Sequence, residues 1–187
     1  MQIRDDAWII SDTHFRHEHI IQYAGRPFSC VSEMDDAMVS NWNSAVGKDG
    51  QVVFLGDFSL APGGVVKSFR KALNGKIILF LGNHDRSHSV KWWLDAGFES
   101  VIEYPIIYKN FFILSHEPVD WISERLPVLN IHGHIHEKTI YNLQNNHYNV
   151  SVENINYTPV RLQDILNKGY ELAERNVNAS DERYPAV

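Results

Sequence analysis

Five segments of this chain end alike. "WIISDTH" closes on Asp12 and His14, "VVFLGDF" on Asp57, "IILFLGNHD" on Asn83 and His84, and "FFILSHE" on His116. "LNIHGHIH" then brings His132, His134 and His136. A short apolar run bounded by turn-formers reads as a buried strand. In an α/β fold, polar residues just beyond the carboxyl ends of neighbouring strands converge on one crevice. The fold must therefore bring five separated strand ends together.

Between these runs the early part of the chain reads as helical. "SEMDDAMVSNWNSAV" (32–46) opens on a capping serine and carries Met34, Ala37, Met38, Trp42, Ala45 and Val46 at helical spacing. "PGGVVKSFRKALNG" (62–75) predicts a helix stopped by Gly75, and "SVKWWLDAG" a short one. The segment before them, with Gly25 and Pro27, reads as a loop. Later, residues 100–117 read as paired strands turning at Lys109-Asn110. Residues 138–153 read as a hairpin around "QNN", and 158–169 as a final helix. Early alternation and late pairing predict two sheets packed together with helices outside. Residues 1–170 form one domain on this reading, and 171–187 a polar tail.

The chain's 187 residues can bury a core that needs no disulfide, and the single Cys30 fits a reducing compartment. A net charge of −6 without a Lys/Arg block argues against a long nucleic acid as partner. No run is apolar enough for a signal peptide or a membrane span, so the expectation is a soluble, cytoplasmic protein with no membrane partner. Nothing in the pattern fixes an oligomeric state.

Taken singly, each candidate has a bland reading. A histidine at a strand end more often bonds to backbone than to metal. Asp12 reads as a cap, Asp85 as a turn-former, His132 as a satisfied core residue, and Trp92 and Trp93 as core. His17, His19, His88 and His147 read as solvated. Taken together, the set supplies oxygen and imidazole donors and no thiolate. That suits two divalent ions, Mn²⁺ first, with Fe, Zn²⁺ or Ni²⁺ as alternatives. A carboxylate on a central strand, Asp57, can bridge two ions. Two ions about 3.5–4 Å apart clamp a phosphoryl group and generate hydroxide near neutral pH. Asn83 would then hold a metal, His84 would protonate the leaving group, and Asp85 would shape the turn.

These motifs, "SDTH", "LGDF", "LGNHD", "LSHE" and "HGHIH", resemble the signature of the calcineurin-like metallophosphoesterase superfamily: D-x-H, G-D, G-N-H-[DE], H, G-H-x-H. The resemblance implies a four-layer αββα sandwich of two mixed β-sheets flanked by helices. It implies one metal on Asp12, His14, Asp57 and His136, and another on Asp57, Asn83, His116 and His134, with His84 assisting the leaving group. The stretch after "GD" reads "FSLAPG" and lacks the arginine of the "GDxVDRG" protein phosphatases. "SDTHFRHEHIIQYAGRPF" resembles a small bacterial and phage branch, which implies Arg16, His17 and Arg26 as substrate contacts. The expected function is a two-metal phosphoesterase, with a metal-bridging hydroxide attacking a small or nucleotide-type phosphodiester. The alternatives are a phosphomonoesterase, or a non-catalytic metal-binding scaffold, which predicts missing ligands.

Overall fold

The computed structural model describes residues 2–119, 129–143 and 146–183. Its first sheet is parallel in β1 (Trp8–Ile10), β2 (Gln51–Phe54), β3 (Lys76–Phe80) and β4 (Ser100–Ile102), in the order β4-β3-β2-β1. The second sheet holds β5 (Ile106–Tyr108), β6 (Phe112–Leu114), β7 (Leu129–His132) and β8 (His147–Asn149) in chain order. β5 and β6 pair antiparallel, while β6, β7 and β8 run parallel. A short β9 (Val160–Arg161) pairs antiparallel with β1 at the far edge of the first sheet, so both sheets are mixed.

Strand alternation explains the layering. Ile10, Val52, Phe54, Ile77 and Leu79 face one way, onto Met34, Met38 and Trp42 of α2 (Val31–Ala45), Val66 of α3 (Gly63–Ala72) and Trp93 of α4 (Val90–Asp95). Ile9, Val53, Ile78 and Phe80 face the other way, onto Phe112, Leu114, Leu129 and Ile131 of the second sheet. The central strands are buried on both faces and so read as unbroken apolar runs. Leu162, Ile165 and Leu166 of α5 (Leu162–Arg183) close this second core. The molecule is two mixed sheets face to face, flanked by helices, as the sequence predicts.

Several local expectations shift. α2 starts at Val31 with Cys30 as its cap residue, and it is Ser29, not Ser32, that bonds to Glu33 across the first turn. The segment read as a loop contains a single helical turn, α1 (Ile20–Tyr23). Lys109 (φ 51°) and Asn110 (φ 56°) do turn a hairpin, the doubly left-handed turn that tight hairpins favour, but β4 belongs to the other sheet. No hairpin forms over 138–153 among the described residues, because β8 takes β7 as a parallel partner; Gln144 and Asn145 of its expected turn lie outside them. The last helix begins at Leu162, after Pro159 and the edge strand, and continues to Arg183 through the stretch read as a tail; residues 184–187 lie outside the described chain. Among the described residues no helix is long and apolar enough to cross a membrane.

Candidate metal centre

The carboxyl ends of β1, β2 and β3 meet those of β6, β7 and β8 in one crevice. Two groups of donors lie there, Asp12 with His14 and His136, and Asp57 with His116 and His134, each with its ligand atoms within 4.8 Å of one another. Asp57 stands between the groups: its Oδ2 is 3.5 Å from His14 Nε2 and 3.5 Å from His116 Nε2. Asn83 Oδ1 lies 3.0 Å from His116 Nε2, on the second group's side. The structure thus brings together the seven residues expected to hold metal.

The backbone is bent to do this. Asp12 (φ 61°), His14 (φ 49°), Asp57 (φ 61°), His134 (φ 69°) and His136 (φ 51°) all occupy the left-handed region that side chains other than glycine avoid. The loops also approach too closely for side chains at the glycines before the ligands. A Cβ on Gly82 would overlap Asp57 Oδ1, and one on Gly133 would overlap Asp12 Oδ2 and Ser11 Oγ.

Hydrogen bonds fix which imidazole nitrogen faces the crevice. His116 Nδ1 is 2.7 Å from the Leu55 carbonyl; donating there turns Nε2 toward the crevice, beside Asn83 Oδ1 and Asp57 Oδ2. His136 Nδ1 is 3.1 Å from Glu153 Oε1, the carboxylate–histidine pairing common behind metal-binding histidines. Asp12 Oδ2 accepts from His134 N (2.9 Å) and Ser151 Oγ (2.9 Å), tying the two sheets together. Its Oδ1 is buried with no hydrogen-bond partner, as are both ring nitrogens of His14. Oxygen and imidazole lone pairs stranded in this way fit a divalent cation.

The charges in the crevice act strongly on one another. Burial works against the ionised form of Asp57, but its hydrogen bond to His116 and the neighbouring imidazoles hold it at about 2. His116 is pushed up to about 9 despite burial, chiefly by that same carboxylate. Burial drives His14 well below the usual imidazole range.

Other expected residues divide. His84 has its side chain 44% exposed, its ring 5.4 Å from His14 and its Nε2 3.9 Å from Asp57 Oδ2. Its backbone N–H donates to Asp57 Oδ1 at 3.0 Å. His17 is half-buried with its ring 5.8 Å from His14, at the mouth of the crevice. Arg16 is exposed, and its N–H donates to Asp35 Oδ1.

Arg26 is a correction. Its side chain is wholly buried behind the crevice, donating to the carbonyls of Asp12 (2.7 Å) and Thr13 (2.9 Å) and to Glu153 (2.8 Å), so it positions the loop and has no path to a substrate. Two histidines expected in solvent are also corrected: His147 is buried, and His88 stacks on Trp92 at 3.8 Å.

Asp85 does more than turn the chain. Fully buried, its carboxylate accepts from Asp57 N (2.7 Å), Phe58 N (3.1 Å) and Gly82 N (3.0 Å), joining the loops after β2 and β3. Burial and the charge of Asp57 push it up to about 6. Glu153, Ser151 and Asn149 were not expected from the sequence. Their signal is a sixth strand end, "NVSVEN" after β8, whose polar residues point into the same crevice.

The family model described as "Calcineurin-like phosphoesterase" matches residues 7–182. An uncharacterized protein of Methanocaldococcus jannaschii is 40% identical over 166 residues, covering 85% of this chain and 88% of its own length. The Gene 66 protein of Mycobacterium phage L5 is 35% identical over 89 residues, 44% of this chain and 41% of its own. The crystal structure of a protein of unknown function from Aquifex aeolicus superposes with a TM-score of 0.66 at 27% identity, covering 86% of this chain and 97% of that one.

Proposed function

The chain belongs to the calcineurin-like phosphoesterase family, and on that premise we propose that it is a two-metal hydrolase of small or nucleotide-type phosphodiesters. The observation that carries this reading is Asp57 Oδ2, which stands 3.5 Å from an imidazole of each donor group and so is placed to bridge two ions. Asp12, His14, Asp57 and His136 would hold one ion, and Asp57, Asn83, His116 and His134 the other. Divalent cations held there, with Mn²⁺ the first choice, supply charge neutralisation and an activated water when bound.

The chain's own groups do the rest. His116 and His136 present fixed tautomers because Leu55 and Glu153 occupy their other nitrogens. His84 is the one exposed imidazole locked beside Asp57 by its own backbone, and it is placed to give a proton to the departing oxygen. A poor alkoxide leaving group requires such an acid. Arg26 is neutralised by Glu153 and faces away, so it offers nothing to the second charge of a monoester. Both points favour the diester.

The test is hydrolysis of bis-(p-nitrophenyl) phosphate and p-nitrophenyl phosphate by chelator-stripped protein reloaded with Mn²⁺. Metal-dependent turnover favouring the diester is expected. Preference for the monoester would replace the diester reading, and two bound ions with no turnover of either would point to a scaffold.

A further inference from the structure

A row of rings leads away from the crevice. From His14 the next ring is His17, at 5.8 Å, and beyond it lie His19 at 6.1 Å and Tyr23 at 6.3 Å from His17. His19 and Tyr23 stack on each other at 6.0 Å and 25°. Tyr23 is 73% exposed, so a large aromatic face is held open to solvent. The ledge is built rigidly. Ile20 and Ala24 anchor α1 in the core, and the N–H groups of Ile20, Gln22, Tyr23, Ala24 and Arg26 all bond to earlier carbonyls in the same segment.

The other donor group has its own flank. A small recess of about 110 Å³ opens beside Asn83 and His116, walled by Arg86, Tyr104 and Glu117 among others. Tyr104 is also 73% exposed, and Arg86 is steadied by donating to the Glu103 carbonyl at 2.8 Å. Each side of the centre therefore carries an exposed tyrosine. A monoester has one organic arm, and a diester has two. Aromatic side chains beside a phosphate site are stacking platforms for bases, and they tolerate any base because each has a π-face. A net charge of −6 without a Lys/Arg block argues against a long nucleic-acid backbone and for a short substrate.

We propose that the substrate is a dinucleotide-type diester with unpaired bases, one base stacking on the Tyr23–His19 ledge and the other arm lying in the Tyr104–Arg86 recess. This rests on the hydrolase reading above for the position of the phosphate.

The probe is the phosphorothioate analogue of adenylyl-adenosine, titrated calorimetrically into the Mn²⁺-loaded full chain. Tyr23→Ala should weaken binding by about ten-fold, the loss expected from one base–aromatic stack, while Tyr23→Phe keeps the ring and the affinity. Equal affinity in wild type and Tyr23→Ala, or no binding to the wild type, overturns the ledge. Cleavage of adenylyl-adenosine itself is followed separately in the wild type. Binding that depends on Tyr23 without cleavage would overturn the hydrolase reading and leave the ledge standing. Cleavage with no dependence on Tyr23 would do the reverse.

Discussion

Glu153→Ala strands a buried cation. The Arg26 side chain is 0% exposed and that of Glu153 5%, with guanidinium–carboxylate distances of 2.9 and 2.8 Å. In the variant the guanidinium keeps the carbonyls of Asp12 and Thr13 but loses its counter-charge. Removing one partner of a buried pair costs about 3–5 kcal/mol. Domains of ordinary stability hold only about 5–15 kcal/mol in total, so the change is large. With a urea slope near the top of the usual range, the unfolding midpoint of the metal-free protein should fall by about 1–2 M. Glu153→Gln keeps an acceptor and should lose about half as much.

The same substitution removes the partner of His136 Nδ1, at 3.1 Å, and with it the fixed tautomer. Loss of such a supporting carboxylate lowers metal affinity by about 10–100-fold. A double variant separates the two effects. Arg26→Met with Glu153→Leu removes both charges and should recover most of the stability, as apolar replacement of buried pairs does elsewhere. Its Mn²⁺ affinity should stay low, because His136 is still unsupported. The assay is urea denaturation of metal-free protein followed by circular dichroism, paired with Mn²⁺ titration. A loss below about 1 kcal/mol in Glu153→Ala would refute the reasoning, since the guanidinium would then be reaching water.

Three further outcomes are expected. His84→Ala should lower turnover of a diester with an alkoxide leaving group by about 10²–10⁴-fold with metal content intact, the range for a general acid, and turnover of p-nitrophenyl esters far less; metal loss in proportion to activity would make His84 a ligand instead. Gly133→Ala drives a methyl into Asp12 Oδ2 and Ser11 Oγ and should destabilise by about 1–3 kcal/mol and weaken metal uptake; an unfolding midpoint matching wild type would show that the loops can separate. Burial pushes the Asp35 carboxyl from 3.8 up to about 6. The folded state then holds that proton more tightly than the unfolded chain, so its stabilisation is complete below about pH 4 and is lost as pH rises through about 6. Asp35→Asn should gain on wild type across that window in melting temperature, and parallel pH curves for the two proteins would contradict the assignment.

How much of the site is legible in the sequence depends on how local its signal is. Asp12, Asp57, Asn83 and His116 can be found because each directly follows an apolar run that must be a buried strand. The β5–β6 turn can be found because two adjacent residues carry the left-handed conformation themselves. Asp85 reads as a turn-former because its partners Asp57 and Phe58 lie 28 and 27 residues away. Arg26 is taken for a substrate contact because Glu153, which neutralises it in the interior, is 127 residues distant. Ser151 and Glu153 follow β8, which is three residues long and pairs in parallel, so the strand end that marks them is far weaker than the apolar runs before the other ligands.

The residues that escape a local reading are those that hold the crevice in shape. A left-handed residue other than glycine costs about 1–3 kcal/mol and persists only when its surroundings over-determine it. Asp12, His14, Asp57, His134 and His136 all carry that cost within one crevice. Arg26 holds the carbonyl of Asp12, Asp85 holds the amide of Asp57, and Asp12 Oδ2 in turn holds the amide of His134. Every one of these bonds joins segments far apart in the chain, so the strain at one strand end is opposed by the body of another. What the arrangement leaves unbonded is Asp12 Oδ1 and the two nitrogens of His14, at a further cost of about 1–3 kcal/mol for each buried, unpartnered group. Destabilisation concentrated on the Asp12 carboxylate and the one lone pair of a neutral His14 imidazole, members of one donor group, is what a fold accepts when those donors are reserved for a cation.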